Sequence, residues 1–453
     1  MREFDLENQE IITGSSRLVS KDKKFDRIKF ATQHMDHNLA YKNYVKINGI
    51  NDKEGKVLQD FKKKFLDYRG NWNKIPENNY NLSVTNYNDP NINLLGPLCV
   101  DIELAAICDL ACPHCFREYI LTPDKIMNFD LYKKIIDEIK ILEVPSIKLN
   151  WRGEPLLNSK IDKFIEYAKL SGILEVSINT NATHLTEEMA RKLIKSGLDL
   201  IIYSFDGGTK KTYEKMRPGR FESNKFEKVY KNIENFSKIK RELNSYFPIT
   251  KIQMVLTEET RKEINNFYEL FNSIVNDVTV TPYSERGGNL EKLKDHQKQK
   301  LFDYLKKNNL PDDTPYMIDG NGKIKISKER KPCNQIFQRL MVTYDGRVAM
   351  CCMDWGAQHC VGYMDESGYD IQKTLDDLKK KIDSNKKGFE LLKNAKYPKN
   401  YNEPKKRVET LNNIWNGEEI NKIRNLHKKK DLNSIDICKK CDFTDTYSWI
   451  EIE

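Results

Sequence analysis

The chain has 453 residues, enough for two or three domains, and its 39% apolar and 10% aromatic content can build cores. No run approaches the ~18–20 apolar residues of a membrane span, and the acidic start MREFDLENQE lacks a secretory pattern, so a cytoplasmic protein without a membrane partner is expected. The formal charge of +9 is spread over short lysine runs such as Lys62 to Lys64 and Lys428 to Lys430, which reads as a solvated surface: no nucleic-acid partner is expected, and a mild pull on phosphorylated or nucleotide-linked small molecules remains.

Residues 1–95 are polar and rich in Asn and Lys, and form an N-terminal helical extension in this reading. Leu58, Phe61, Phe65 and Tyr68 share one helical face. Arg69 and Trp72 then lead into a loop at Ile75-Pro76-Glu77-Asn78-Asn79. Over 96–290, six runs rich in β-branched residues alternate with helical stretches: 98–104, 146–151, 175–179, 198–205, 249–256 and 278–283. Leu131, Ile135, Ile139 and Leu142 mark one crossover helix. Another runs from a Thr186 cap to Lys195 and is closed by Gly197. Repeated strand–helix units imply a parallel sheet, so the fold class is α/β, a partial (β/α)6 TIM-like barrel with sites at the C-terminal strand ends. A helix-and-loop connector follows at 291–331, then a small C-terminal domain at 332–453 with a Lys-rich insertion at about 365–410.

Ten cysteines cluster at short spacings, a pattern of metal ligation rather than disulfides. Cys108-Asp-Leu-Ala-Cys112-Pro-His-Cys115 follows the first predicted strand directly. Three thiolates can satisfy three irons of a [4Fe–4S] cube and leave the fourth iron open. The alternative is a structural zinc site with His114 or Cys99 as fourth ligand. Nearer the C-terminus, Tyr344-Asp345-Gly346-Arg347 reads as a hairpin turn that returns Cys351 towards Cys333, and Cys438-Lys-Lys-Cys441 adds a pair. These four make a closed ligand set, for a cluster or for a zinc ribbon.

The Cys108 to Cys115 loop resembles the signature of the radical S-adenosylmethionine (SAM) superfamily. In that family the open iron chelates SAM, and reductive cleavage yields a 5′-deoxyadenosyl radical that abstracts a substrate hydrogen. The resemblance implies that His114 lies near the adenine. Trp151-Arg152-Gly153-Glu154-Pro155-Leu156-Leu157 resembles the family's GGEPLL element, with Arg152 in place of its first glycine. This gives Gly153, Glu154 and Pro155 to the methionine amino group. By the same resemblance Asn179 and Asn181, and Ser204 and Asp206, contact the ribose and methionine carboxylate. The second cysteine group is similar to the SPASM or twitch extension. The full form carries seven cysteines, and none follows Cys441, so the resemblance implies one auxiliary [4Fe–4S] cluster on Cys333, Cys351, Cys438 and Cys441. Ile414-Trp415-Asn416-Gly417, Arg424 and His427 also look like this extension.

Cys352 and Cys360 are alternative ligands, hydrogen-atom donors to a substrate radical, or buried thiols. Arg217, Arg220, Tyr283, Glu285, Arg286 and Asp354 are candidates for the substrate pocket, the two former as an anion clamp. The expected activity is dehydrogenation or epimerisation of a sugar, aminocyclitol or nucleotide sugar, with flavodoxin or ferredoxin as electron donor. The alternatives are a peptide- or protein-modifying maturase and a non-catalytic zinc-binding protein.

Overall fold

The computed structural model describes residues 10–12, 17–19, 25–81, 96–283 apart from 116 and 118–122, 295–370 apart from 312, 313, 315, 319–321, 355 and 358, and 406–452 apart from 440, 442 and 444–446. Its strands are β1 (Glu10–Ile12), β2 (Arg17–Val19), β3 (Cys99–Ile102), β4 (Ser146–Lys148), β5 (Glu175–Thr180), β6 (Leu200–Ser204), β7 (Ile249–Leu256), β8 (Asp277–Pro282), β9 (Tyr316–Ile318), β10 (Ile324–Arg330), β11 (Arg339–Val342), β12 (Arg347–Ala349), β13 (Cys360–Tyr363) and β14 (Tyr447–Glu451).

Strands β3 to β8 lie side by side in chain order and pair in parallel, with Val100 opposite Ile147 and Ile178 opposite Ile201. Their apolar side chains are buried because helices cover the sheet. Helix Phe129–Ile141 presents Leu131, Tyr132, Ile135, Ile136 and Ile139 to it, and the Asn128 side chain caps its start by accepting from Asp130 N. Thr186 caps helix Glu187–Lys195, and Gly197 at φ +90° turns the chain into β6. A Cβ on Gly197 would lie 2.7 Å from the Leu39 side chain, so this turn has no room for one.

Among the described residues the sheet has eleven strands in the order β1-β2-β8-β7-β6-β5-β4-β3-β11-β12-β13, with the six parallel strands in the manner of a partial barrel. β11 pairs in parallel with β3, and the β11–β12 hairpin turns at Gly346, φ +83°. The C-terminal cysteine segments are thereby stitched to the first strand of the barrel. At 291–331 the chain is more than helix and loop: after helix Asp295–Lys307 come β9 and β10, which form a second sheet with β14. Residues 371–405 of the expected insertion lie outside the described residues.

In the N-terminal extension, helix Lys56–Asn81 runs through Pro76, where the sequence suggests a loop. Proline in a helix interior costs ~3 kcal/mol. Burial of Ile75, Pro76 and Asn79 holds the last turns in place. Phe61, Phe65, Tyr68 and Ile75 pack with Leu98, Leu174, Leu200 and Ile249, at or just before the starts of β3, β5, β6 and β7. Each such large apolar side chain contributes roughly 1.5–3 kcal/mol on burial. The helices therefore close the N-terminal end of the barrel, opposite the strand ends where a site forms. A polar lock sits in the same plug: Asn38 Nδ2 donates to Leu174 O (3.1 Å) and Asp199 Oδ1 (2.8 Å), and buried Lys169 Nζ donates to Asp199 Oδ2 (2.8 Å) and Asn38 Oδ1 (3.1 Å). The strands β1 and β2 are an addition to the helical picture: β2 pairs antiparallel with β8.

Candidate active site

The loop after β3 is held from three sides. Ala106 N donates to Lys125 O and Met127 N to Leu104 O, both at 2.9 Å. On the far side, Ala111 N donates to Pro218 O (2.9 Å) and Arg220 N to Asp109 O (2.7 Å). From the β4 end, Glu154 N donates to Ile107 O at 2.8 Å. A Cβ on Gly153 would stand 2.3 Å from both Ala105 O and Ile107 O, so only glycine lets the two loops meet.

Glu154 is buried, and three donors leave one acceptor position of Oε2 open. Oε1 accepts from Leu156 N (3.0 Å) and Thr180 Oγ1 (2.6 Å), and Oε2 accepts from Asn181 N (2.7 Å). Burial nevertheless pushes its carboxyl up to about 7, because these hydrogen bonds only partly replace water. A carboxylate in that condition is suited to a cationic ligand. Asn181 Nδ2 donates to Asp109 Oδ1 (2.8 Å) and lies 4.0 Å from Cys108 Sγ. Thr183 Oγ1 donates to Asp109 Oδ2 at 2.6 Å. Cys108, Glu154 and Asn181 thus come from three strand ends onto one spot.

Asp206, after β6, has no solvent exposure. Its Oδ1 accepts from Val255 N (2.7 Å), and Oδ2 is paired with Arg217 Nη2 (2.7 Å) and His114 Nε2 (3.0 Å). Burial alone would raise this carboxyl, but the Arg217 and His114 charges overcome it and hold it well below the usual carboxylate range. The resemblance assigns Asp206 to the cofactor, and in the structure its carboxylate is paired with His114 and Arg217. His114 Nδ1 and Asn179 Oδ1 are buried polar atoms with no hydrogen-bond partner. Such atoms are costly unless a ligand completes them. Ser204 ends β6 beside Gln253, and Pro155 starts a short 3-10 turn.

Burial also pushes the Cys108 thiol up to about 12 and the Cys112 thiol well above its usual range; Cys115 is a further contributor to both. Among the described residues no group of three or more His, Cys, Asp or Glu side chains is placed to hold a metal ion. A thiolate donor set, the Gly153 gap, the buried Glu154 and two unsatisfied polar atoms fit an iron–sulfur cluster with a polar, cationic co-ligand.

Arg217 and Arg220 were expected as an anion clamp. Instead Arg217 is paired with Asp206, and Arg220 Nη1 with Asp124 Oδ1 (2.8 Å) while its backbone braces the cluster loop. Tyr283 is half-buried just after β8; Glu285 and Arg286 lie outside the described residues. The sequence also missed three partners. Thr180, between Asn179 and Asn181, donates to Glu154, and its place between those two residues was the available signal. Asp109 had no signal beyond its place between cysteines. Arg152 forms a buried two-pronged pair with Glu103, at 2.6 and 2.7 Å, and Glu103 Oε2 also accepts from Tyr344 N (3.3 Å) in the hairpin turn. The residue that departs from the family glycine therefore ties β3 and β4 to the C-terminal hairpin.

The cysteines of the second group act on one another's thiols. Burial first, then the charges of Cys441 and Cys438, raise the Cys333 thiol well above its usual range; burial, with Cys438 and Cys333 among the further causes, does the same at Cys351. Cys352 joins this group, its Sγ donating to Gln335 Oε1 at 3.3 Å. Cys360 faces elsewhere on β13, donating to Gly362 O at 3.0 Å beside Arg347. Cys99 is buried on β3 and donates to Asp101 Oδ1 (3.5 Å). Buried Asp354 accepts from His359 N at 2.8 Å and shapes the turn after Cys351. Arg424 is fully buried, with Nε donating to Ile336 O (3.0 Å) and Nη1 to Trp415 O (2.6 Å). It locks helix Glu418–Lys428 to the segment after Cys333. Trp151 Nε1 donates to Cys352 O (2.9 Å), joining the two cysteine regions.

Residues 102–271 match the family model described as Radical SAM superfamily. The superfamily consists of enzymes that use SAM and a [4Fe–4S] cluster. The chain is 25% identical over 215 residues to mycofactocin maturase MftC of Mycolicibacterium smegmatis, covering 46% of this chain and 52% of that one. It is 27% identical over 168 residues to a tungsten-containing aldehyde ferredoxin oxidoreductase cofactor-modifying protein of Pyrococcus furiosus, covering 36% and 45%. It thus spans about half the length of these curated relatives. Among solved structures, Streptococcus suis SuiB is similar over 81% of this chain and 86% of that one, at 16% identity and a TM-score of 0.43. No helix of the described residues is long and apolar enough to cross a membrane.

Proposed function

We propose that the protein is a radical SAM oxidoreductase with a cluster on Cys108, Cys112 and Cys115 and an auxiliary cluster on Cys333, Cys351, Cys438 and Cys441. The observation that carries this is the convergence of buried Glu154, Asn181 and Cys108 at adjoining strand ends. When bound, SAM and the open-iron cluster supply a radical that takes a hydrogen atom, and the auxiliary cluster supplies an electron acceptor. Glu154 holds the methionine ammonium, whose charge relieves the carboxylate that burial disfavours. Asn179 Oδ1 and His114 Nδ1 gain the partners they lack. Asp206 and Arg217 keep the His114 ring in place. Loss of one hydrogen atom, one proton and one electron completes a substrate dehydrogenation, with flavodoxin or ferredoxin in the cytoplasm as the electron source for each turnover.

A peptide or protein is the substrate class we favour. The relative from Mycolicibacterium smegmatis is named as a maturase. Arg217 and Arg220, the candidates for clamping a phosphate, are both paired with carboxylates. Among the described residues β1 is the terminal strand of the main sheet, where an extended peptide can add as a further strand.

The test is anaerobic turnover with carbon-deuterated peptides and carbon-deuterated nucleotide sugars. Deuterium in 5′-deoxyadenosine from a peptide is expected. Transfer from sugars alone would reverse the substrate class, and solvent deuterium in the product would indicate epimerisation instead of dehydrogenation.

A further inference from the structure

His427 sits in helix Glu418–Lys428 with 1% of its surface exposed, between two cysteine segments more than ninety residues apart. Its Nδ1 accepts the backbone N–H of Cys333 at 3.2 Å. A ring nitrogen that accepts carries no proton, so the ring proton is on Nε2. Nε2 lies 3.5 Å from Cys438 Sγ, an ordinary separation for an N–H donor and sulfur. The ring thus points its single N–H at one of the cysteines assigned to the auxiliary cluster and is held in that tautomer by the backbone of another.

We infer that His427 is a positioning and tuning residue, whose Nε2–H donates to the Cys438 thiolate and raises the reduction potential of the auxiliary cluster. This rests on the auxiliary-cluster reading above. A hydrogen bond to a ligating sulfur draws negative charge away from the cluster and favours the reduced, more negative state. The same residue joins the ligand segments, since the imidazole contacts both Cys333 N and Cys438 Sγ. A cluster made easier to reduce is a better acceptor for the electron that a dehydrogenated substrate releases.

The test uses the full chain bearing Cys108→Ala, Cys112→Ala and Cys115→Ala, in which the auxiliary cysteines remain. Its cluster is titrated by EPR at controlled potential, with and without His427→Phe. The Phe substitution is expected to lower the potential, shifting the one-electron equilibrium about tenfold towards the oxidised form, or about 59 mV. His427→Gln, which keeps an N–H donor, is expected to recover most of the shift. An unchanged potential overturns the inference alone, while a chain that assembles no auxiliary cluster overturns the cluster reading with it. Should the Phe variant fail to assemble, pulsed EPR of the His427-bearing chain with 15N-histidine decides the matter. A weak nitrogen coupling, lost in His427→Gln, supports the hydrogen bond. A strong coupling from a directly bound nitrogen, or none, overturns it.

Discussion

Glu154 accepts three hydrogen bonds, yet burial pushes its carboxyl up to about 7. In the cofactor-free chain the folded state holds this proton more tightly than the unfolded state, whose carboxyl titrates near the ordinary 4.5. Stability from this group is therefore complete below about 4.5 and falls as pH rises towards about 7. Equilibrium denaturation of apo protein across that window should show the decline, and Glu154→Gln should flatten it. The same substitution removes the anion that faces the methionine ammonium. Hydrogen bonds to charged groups contribute about 1.5–3 kcal/mol, so SAM affinity should fall roughly ten- to hundredfold in anaerobic calorimetry. A variant that binds SAM as tightly as the parent would remove Glu154 from the cofactor.

Elements bring these residues together, and their legibility in the sequence was uneven. Parallel strands and amphipathic helices repeat by local rules, so β3 to β8 and helix Glu187–Lys195 could be read from periodicity and caps. The hairpin at Gly346 was equally local. Pro76 defeated the local rule because burial of its neighbours outweighs a broken backbone bond. β2 and β10 were missed because β8 and β14, with which they pair, are distant in the chain. Among site residues, Glu154 and the cysteines carry motifs, whereas the Arg152–Glu103 pair and the Arg217–Asp206 pair follow only from the fold. Gly153 shows how two loops depend on one position: Gly153→Ala drives a methyl group into Ala105 O and Ile107 O, and the Cys108 loop must move. Reconstituted Gly153→Ala protein is expected to hold about four irons, from the auxiliary cluster, against about eight in the parent. A full iron complement would show that the loop tolerates the displacement.

Across the whole molecule, the chain closes its barrel at one end and works at the other. The N-terminal helices plug the strand starts, and the C-terminal segments extend the sheet beside β3 and reach the site through Trp151. This separation has a consequence for mutants. Asn38→Ala leaves Lys169 and Asp199 short of a partner in a buried network, costing about 1–3 kcal/mol in denaturation. Its rate of SAM cleavage below the melting transition should match the parent, because no cofactor residue touches the plug. A lowered cleavage rate in a folded variant would mean that the two ends are mechanically linked.

The central claim is that three thiolates on the loop after β3 hold a cluster with one iron free for SAM. EPR of the dithionite-reduced, reconstituted protein, with and without SAM, tests it most directly. The account predicts a reduced-cluster signal whose shape changes on addition of SAM, and the loss of that SAM-dependent change when Cys108, Cys112 and Cys115 are replaced by Ala. A spectrum indifferent to SAM in the parent, or a SAM response that survives in the triple variant, would contradict it.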